Sequence, residues 1–395
     1  MKKSRSTLKR FTLWSLAILF SVWALVSVTV APAFFVAVNS YAVDQDPGSR
    51  GLDFDDIEIE SDGVVLAGWW IPAKKPVAEL IFVHGAGSNR ISAYVGSLDF
   101  YATLNELGIS VIAMDLRNHG NSPVTDARLH MGATEWADVL AAAQWLDKSQ
   151  PTALPRFVLG ASMGGSAVIR ALREGLQVTG TILLDPQLGM LDSLIHGAKV
   201  VTGLPAPLFV LAAQTAIWQY ELPAGSHSPL LQAAALQQPI LLLQDWDDPV
   251  TRSHYAQSLA DENPYVQLKR VPHISPDDPC IRGRGHWGSH AASHPCHPAW
   301  TRQQIATFIK ERIKERIAER ITERIADTSA SHSFHLVHAC SRIQSNQTGF
   351  YDYEEAADGN ITHRITTGIR CLPRVLRSLY AQACVKRLGP ILRSL

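Results

Sequence analysis

The sequence predicts an α/β fold: a mostly parallel sheet covered by helices on both faces, preceded by an N-terminal transmembrane helix. Three observations carry this. Short apolar runs recur, each closing on Gly or Asp: "LIFVHG" (80–85), "VIAMD" (111–115), "FVLG" (157–160), "TILLD" (181–185) and "PILLLQD" (239–245). Runs that are apolar throughout read as strands buried on both faces. Helix-like stretches alternate with them, clearest in "ATEWADVLAAAQWLDK" (133–148) and "GGSAVIRALREG" (164–175), and that alternation implies a parallel sheet. Finally, no charge occurs from Phe11 to Val38.

The elements follow in order. Lys2, Lys3, Arg5, Lys9 and Arg10 precede the uncharged stretch, and the first acid is Asp44. The stretch exceeds the roughly 20 apolar residues that cross a bilayer and the roughly 7–15 of a cleaved signal. Residues 1–43 therefore read as a signal anchor, with the body on the non-cytoplasmic side of the membrane because the basic flank stays inside. Cleavage near Ala42, giving a secreted protein, is the alternative. "DQDPGSRG" is a turn-rich linker. "DDIEIES" and "VVLAGWWIP" flank Ser61-Asp62-Gly63, a hairpin signal that sets an antiparallel pair at one sheet edge.

The core domain is expected over 44–312. Within it, 186–238 is apolar, rich in Leu, Ala, Pro and Gly, and without a strand-like run, so a small helical lid is expected there. "VQLKRV" (266–271) gives the last strand, and a closing helix begins near Ala299. In 313–395, "KERIKERIAERITERI" (310–325) places isoleucine at every fourth residue. That period drifts around a 3.6-residue helix, so it extends the closing helix as a solvated rod and makes no coiled coil. "NQT" (346–348) and "NIT" (360–362) match a glycosylation pattern. The rest of the tail carries no assignable function.

Lys+Arg and Asp+Glu both number 36, so net charge is zero, and nothing argues for a nucleic-acid partner. The oligomeric state is open. The five cysteines all fall late, at 280, 296, 340, 371 and 384. An odd number makes no complete disulfide framework. Cys280 and Cys296 can pair if the domain is exported.

The chemistry begins at "FVLGASMGG" (157–165). Gly160-Ala161-Ser162-Met163-Gly164 is G-x-S-x-G between an apparent strand and an apparent helix, the context a nucleophile elbow requires. Ser162 must stand clear of the backbone on a strained turn, and the glycines let strand and helix pack closely. The Met163 backbone N–H then faces a developing oxyanion. Upstream, "LIFVHGAGSNR" ends a strand with His84-Gly85-Ala86-Gly87, and Ala86 is the second oxyanion donor. His84 belongs to the strand end and reads as a structural hydrogen-bonder.

"LAGWWIPA", "VHGAGSNR", "MDLRNHGNS", "GASMGG" and "DWDDPVT" in this order resemble the α/β-hydrolase superfamily, in particular its membrane-anchored, esterase-like serine hydrolases. The resemblance covers roughly residues 50–310. It implies an α/β-hydrolase fold and the chain order Ser, acid, His. The acid follows a late strand. Asp248-Pro249 matches the G-x-x-D-P of relatives at its end, although Asp245 stands where their glycine would be, which favours Asp248; Asp247 and then Asp185 remain alternatives. For the base, His290 in "GSHAA" is favoured over His286, with His273 behind both. Cys280, His286, His290, His294, Cys296 and His297 are also all metal-ligand types, but their spacing fits no standard zinc pattern, and Gly285 and Gly288 disfavour a helix there.

The expectation is a membrane-anchored serine hydrolase acting on a small ester or acyl substrate through an acyl-enzyme, with no cofactor and no metal. A serine peptidase of the same fold and a non-catalytic membrane-anchored binding protein are the alternatives.

Overall fold

The computed structural model describes residues 2–38, 41–282 and 284–344. The chain divides after Ile313 into two compact units.

The first unit begins with α1 (Lys2–Thr29) and α2 (Ala31–Phe35), followed by the hairpin β1 (Asp55–Ser61) and β2 (Val64–Ile71). Then come β3 (Ala78–Val83), α3 (Ser97–Glu106), β4 (Ile109–Met114), α4 (Trp136–Ser149), β5 (Arg156–Ala161), α5 (Met163–Arg173) and β6 (Gly180–Leu184). Between β6 and β7 (Ile240–Gln244) lie α6 (Met190–Thr202), α7 (Val210–Gln219) and α8 (Pro229–Ala234), with no strand among the described residues. The unit ends with α9 (Ser253–Glu262), β8 (Val266–Arg270), α10 (Ser293–Cys296) and the first turns of α11 (Pro298–Gln344). The second unit, from Lys314, is described through Gln344 and is helical. Both glycosylation patterns, Cys371 and Cys384 lie outside the described residues.

The eight strands form one sheet in the order β1-β2-β4-β3-β5-β6-β7-β8. β1 pairs antiparallel with β2, and β2 antiparallel with β4; all later pairings are parallel. Every residue of β3, β4, β6 and β7 is buried. Alternation then splits each strand between two cores. Ile81, Val83, Val158 and Leu183 join the α4, α5 and α6 side, with Val139, Val168 and Leu194. Leu80, Phe82, Phe157, Leu159 and Ile182 join the α3 and α11 side, with Phe100, Ile305 and Phe308. Two buried faces explain the unbroken apolar runs in the sequence. Because β3 to β8 are parallel, their C-terminal ends share one edge, where α/β sheets carry their sites.

α1 contains a 20-residue segment, Arg10–Thr29, long and apolar enough to cross a membrane. The chain after it is tied to the body. The Leu129 N–H donates to the Val36 carbonyl (2.8 Å), and Asn89 Nδ2 donates to the Tyr41 carbonyl (2.8 Å).

Candidate active site

Ser162 follows β5 directly, with φ 53° and ψ −121°. Positive φ is strained for a side-chain-bearing residue. The strain is held by backbone bonds on both sides of the turn: Ser162 N–H to the Leu184 carbonyl (3.0 Å), and Gly165 N–H (2.9 Å) and Gln187 N–H (3.1 Å) to the Ser162 carbonyl. The flanking glycines are steric necessities. A Cβ on Gly160 would lie 2.5 Å from the Gly164 carbonyl oxygen, and one on Gly164 only 2.4 Å from that of Val83.

His290 Nε2 is 2.9 Å from Ser162 Oγ, and His290 Nδ1 is 2.7 Å from Asp248 Oδ2. His290 and Asp248 are both buried. Asp248 follows β7. Its Oδ1 accepts the N–H groups of Val250 (2.6 Å) and Thr251 (2.8 Å), and Oδ2 also accepts Thr251 Oγ1 (3.0 Å). With both oxygens so engaged, the carboxylate keeps one orientation, and Nδ1 of His290 carries the proton that points at it.

The alternatives fall elsewhere. Asp247 pairs with His273 (2.9 Å) in an exposed contact. His286 sits exposed in a single 3-10 turn, Gly285–Trp287. Cys280 and Cys296 form a disulfide across the segment that carries His290. His294 packs on the Phe100 ring, and among the described residues no three metal-ligating side chains converge.

The loop after β3 runs against the elbow: a Cβ on Gly85 would be 3.1 Å from Ser162 Cβ. Three contacts clamp it. The His84 ring accepts the Leu116 N–H at Nε2 (3.1 Å) and so donates Nδ1–H to the Gly85 carbonyl (2.9 Å). Tyr94 donates its hydroxyl to the Ala86 carbonyl (3.0 Å). His119 Nε2 accepts the Gly87 N–H (3.3 Å), while its Nδ1–H serves the Arg117 carbonyl (2.8 Å). Burial lowers the pKa of both histidines, His84 strongly, so both stay neutral in these roles. The Met163 amide opens α5 and the Ala86 amide lies in this loop; neither donates to a protein acceptor among the described residues.

Sequence reasoning missed a supporting layer. Asp115, after β4, is buried and accepts both the backbone N–H (2.7 Å) and Nη1 (2.8 Å) of Arg90, which anchors the far end of the β3 loop. Asp185, after β6, accepts Asp245 N–H (2.6 Å) and Ala291 N–H (3.0 Å), and so links the acid-bearing loop to the base-bearing loop. Burial, then the nearby Asp248 charge, push the Asp185 pKa well above the usual carboxylate range. Arg284 donates to the carbonyls of Gly288 (2.8 Å), Tyr94 (2.6 Å) and His290 (2.6 Å); burial lowers its pKa to about 10. The "LLD" and "SNR" stretches carried Asp185 and Arg90, "VIAMD" carried Asp115 and "RGRGH" carried Arg284, but nothing local marked their roles. A shallow surface depression of 550 Å³ along α9, lined by Trp246, His254 and Gln257, holds none of these groups, so bonding geometry rather than volume locates the site.

This sheet, this elbow and these strand-end loops make up an α/β-hydrolase fold. Residues 74–215 match the family model described as "Serine aminopeptidase, S33". Phospholipase YtpA of Bacillus subtilis is 34% identical over 126 residues, 31% of this chain and 45% of the relative. A Schizosaccharomyces pombe protein named as a monoglyceride lipase is 34% identical over 112 residues, 28% of each chain. The chain thus spans less than half the length of these curated relatives. Among solved structures, the Pyrococcus furiosus esterase Pf2001 aligns with TM-score 0.56 and 21% identity, covering 70% of this chain and 100% of the esterase.

Proposed function

We propose that this protein is a serine hydrolase cleaving carboxylic esters. The single observation that carries the reading is the continuous hydrogen-bonded series Asp248–His290–Ser162, ending on a strained elbow. In this reading, Ser162 Oγ attacks the acyl carbonyl carbon while His290 Nε2 takes the hydroxyl proton. Asp248 holds the imidazole in the required tautomer and stabilises the imidazolium that forms. The Ala86 and Met163 amides donate to the oxyanion. Collapse of the tetrahedral intermediate breaks the carbonyl carbon–oxygen bond, and His290 returns the proton to the leaving alcohol. Water, deprotonated by the same nitrogen, then releases the acid and restores Ser162. Every proton is accounted for within these residues.

Ester rather than peptide substrates are favoured by the phospholipase and monoglyceride lipase names of the sequence relatives and by the apolar character of residues 186–238. The aminopeptidase description of the matching family keeps peptide cleavage as the second reading. The basic flank before α1 and the Cys280–Cys296 disulfide support an anchored body on the non-cytoplasmic side, where disulfides persist.

The test is labelling of the full chain with a fluorophosphonate probe, beside Ser162→Ala. Labelling that disappears in the variant, with hydrolysis of p-nitrophenyl esters lost in parallel, is expected. A folded wild-type chain that neither labels nor hydrolyses esters would overturn the reading and favour the binding-protein alternative.

A further inference from the structure

The lid has an uncharged stretch of its own. From Val200 to Tyr220 no residue is charged; Lys199 and Glu221 flank it. This stretch runs from the end of α6 through the turn at 203–209 and along the whole of α7, and the helical segments Met190–Thr202 and Ala206–Gln219 are bent by 118°. Its apolar side chains are not all in the core: Val201, Leu204, Leu208, Val210 and Trp218 are exposed, Trp218 by 80%. Several large apolar side chains exposed along one short segment mark a contact site.

What covers it follows from α1. α1 and α2 both pack against α7. Trp23 Nε1 donates to the Leu208 carbonyl (3.1 Å), which fixes Leu208 level with Trp23. At 1.5 Å per residue, Arg10–Thr29 is about 30 Å long and fills a hydrocarbon core of about 30 Å. Trp23 lies six residues before Thr29, which puts Leu208 about 9 Å inside the boundary on the body side. A bilayer that contains α1 therefore also reaches Leu208. That depth matches the roughly 5–10 Å at which interfacial helices bury their apolar faces.

We infer that the α6–α7 turn is a membrane-docking surface, embedded in the same leaflet boundary from which α1 emerges, with lipid acyl chains as its occupant. The inference rests on α1 spanning the membrane. It also has a consequence for the proposed hydrolysis. α6 starts beside the elbow, where the Gln187 N–H holds the Ser162 carbonyl, so the hairpin runs between lipid and site. An ester residing in the leaflet has that path to Ser162.

The experiment is photo-cross-linking of the full chain in phosphatidylcholine vesicles, with p-benzoyl-phenylalanine replacing one residue at a time. Positions 204 and 208 test the surface. Leu16 in α1 is the lipid-facing control, and Gln257 on α9 is the water-facing one. These side chains are all solvent-exposed, so replacement leaves the core intact. Lipid adducts at 204 and 208 at least fivefold above position 257, and comparable with position 16, are expected. Adducts at 16 without any at 204 and 208 would overturn the inference. So would adducts at 204 and 208 to a second copy of the chain instead of lipid. No lipid adduct at 16 would overturn it through its premise, leaving the fluorophosphonate result for Ser162 untouched.

Discussion

Replacing Asp248 by Asn separates chemistry from folding in the proposed reaction. Asp248 Oδ1 accepts two backbone N–H groups, and the carbonyl oxygen of an asparagine can keep both. The change falls on Oδ2, which accepts from His290 Nδ1 at 2.7 Å and from Thr251 Oγ1 at 3.0 Å. An NH₂ group there donates instead of accepting. His290 Nδ1 must then be the acceptor, so the ring proton moves to Nε2, the nitrogen 2.9 Å from Ser162 Oγ. A protonated Nε2 cannot take the serine proton. The stability cost is the difference between charged and neutral hydrogen bonds, about 1–2 kcal/mol. The kinetic cost is that of a wrong tautomer, about 10⁴ in kcat, or about 5 kcal/mol of barrier. The assay is p-nitrophenyl ester hydrolysis by Asp248→Asn, with thermal melting of the same sample. A variant that melts near the wild type and keeps more than a tenth of its kcat would refute the reasoning. Asp247→Asn is the control: its contact with His273 is exposed, and kcat should stay within about twofold of wild type.

Gly164→Ala forces a Cβ against two backbone carbonyls, 2.4 and 2.5 Å away, and should cost about 3 kcal/mol or more and abolish fluorophosphonate labelling. Gly197→Ala, on α6 with nothing within 4 Å, should instead stabilise the fold by about 0.5–1 kcal/mol and so raise the melting temperature, and equal melting curves for the two variants would contradict the clash argument. Burial lowers the His294 pKa from 6.5 to about 4, so the unfolded chain binds a proton between those values and the folded chain does not. Stability then falls as pH drops below 6.5, by up to about 3 kcal/mol from this residue, and melting between pH 7 and 5 should be flatter in His294→Leu.

The sheet was legible because both its faces are buried. Strands such as "LIFV" and "TILL" need no polar alternation and stand out as apolar runs. The elbow was legible for a different reason: its glycines answer to steric contacts under 3 Å, and no other residue fits. α3 and α9 were not read. α3 starts at Gly96 in a left-handed conformation with no side-chain cap, and α9 starts at Arg252, again without one, so neither shows a local start signal. Choosing Asp248 over its neighbours needed the spacing within "DWDDPVT", and the geometry separates the two clearly. Asp247 turns outward to His273, while Asp248 turns inward to His290. What the sequence could not carry are contacts between distant loops. His290 meets Ser162 across 128 positions, and Asp185 meets Ala291 across 106.

Asp185 explains how three loops can hold one register. β6 lies between β5, which ends at Ser162, and β7, which leads to Asp248. A carboxylate at the end of β6 therefore sits centrally among the loops. It touches neither Ser162 nor His290 by a hydrogen bond; it takes the Asp245 N–H on one oxygen and the Ala291 N–H on the other. Ala291 follows His290 with φ 51°, a strained conformation that needs such a tether. Asp185 itself has φ 40°, so two strained residues meet at one hydrogen bond. Arg284 closes the base loop from the opposite side through the His290 carbonyl. Buried polar groups are costly, and a carboxyl whose pKa is raised by burial destabilises the fold more as pH rises through that pKa. Asp185 has only two backbone donors to offset that cost, against the four donors on Asp248. A buried carboxyl with no hydrogen bond to Ser162 or His290 is accounted for by position: it ties the loop that carries the candidate acid to the loop that carries the candidate base.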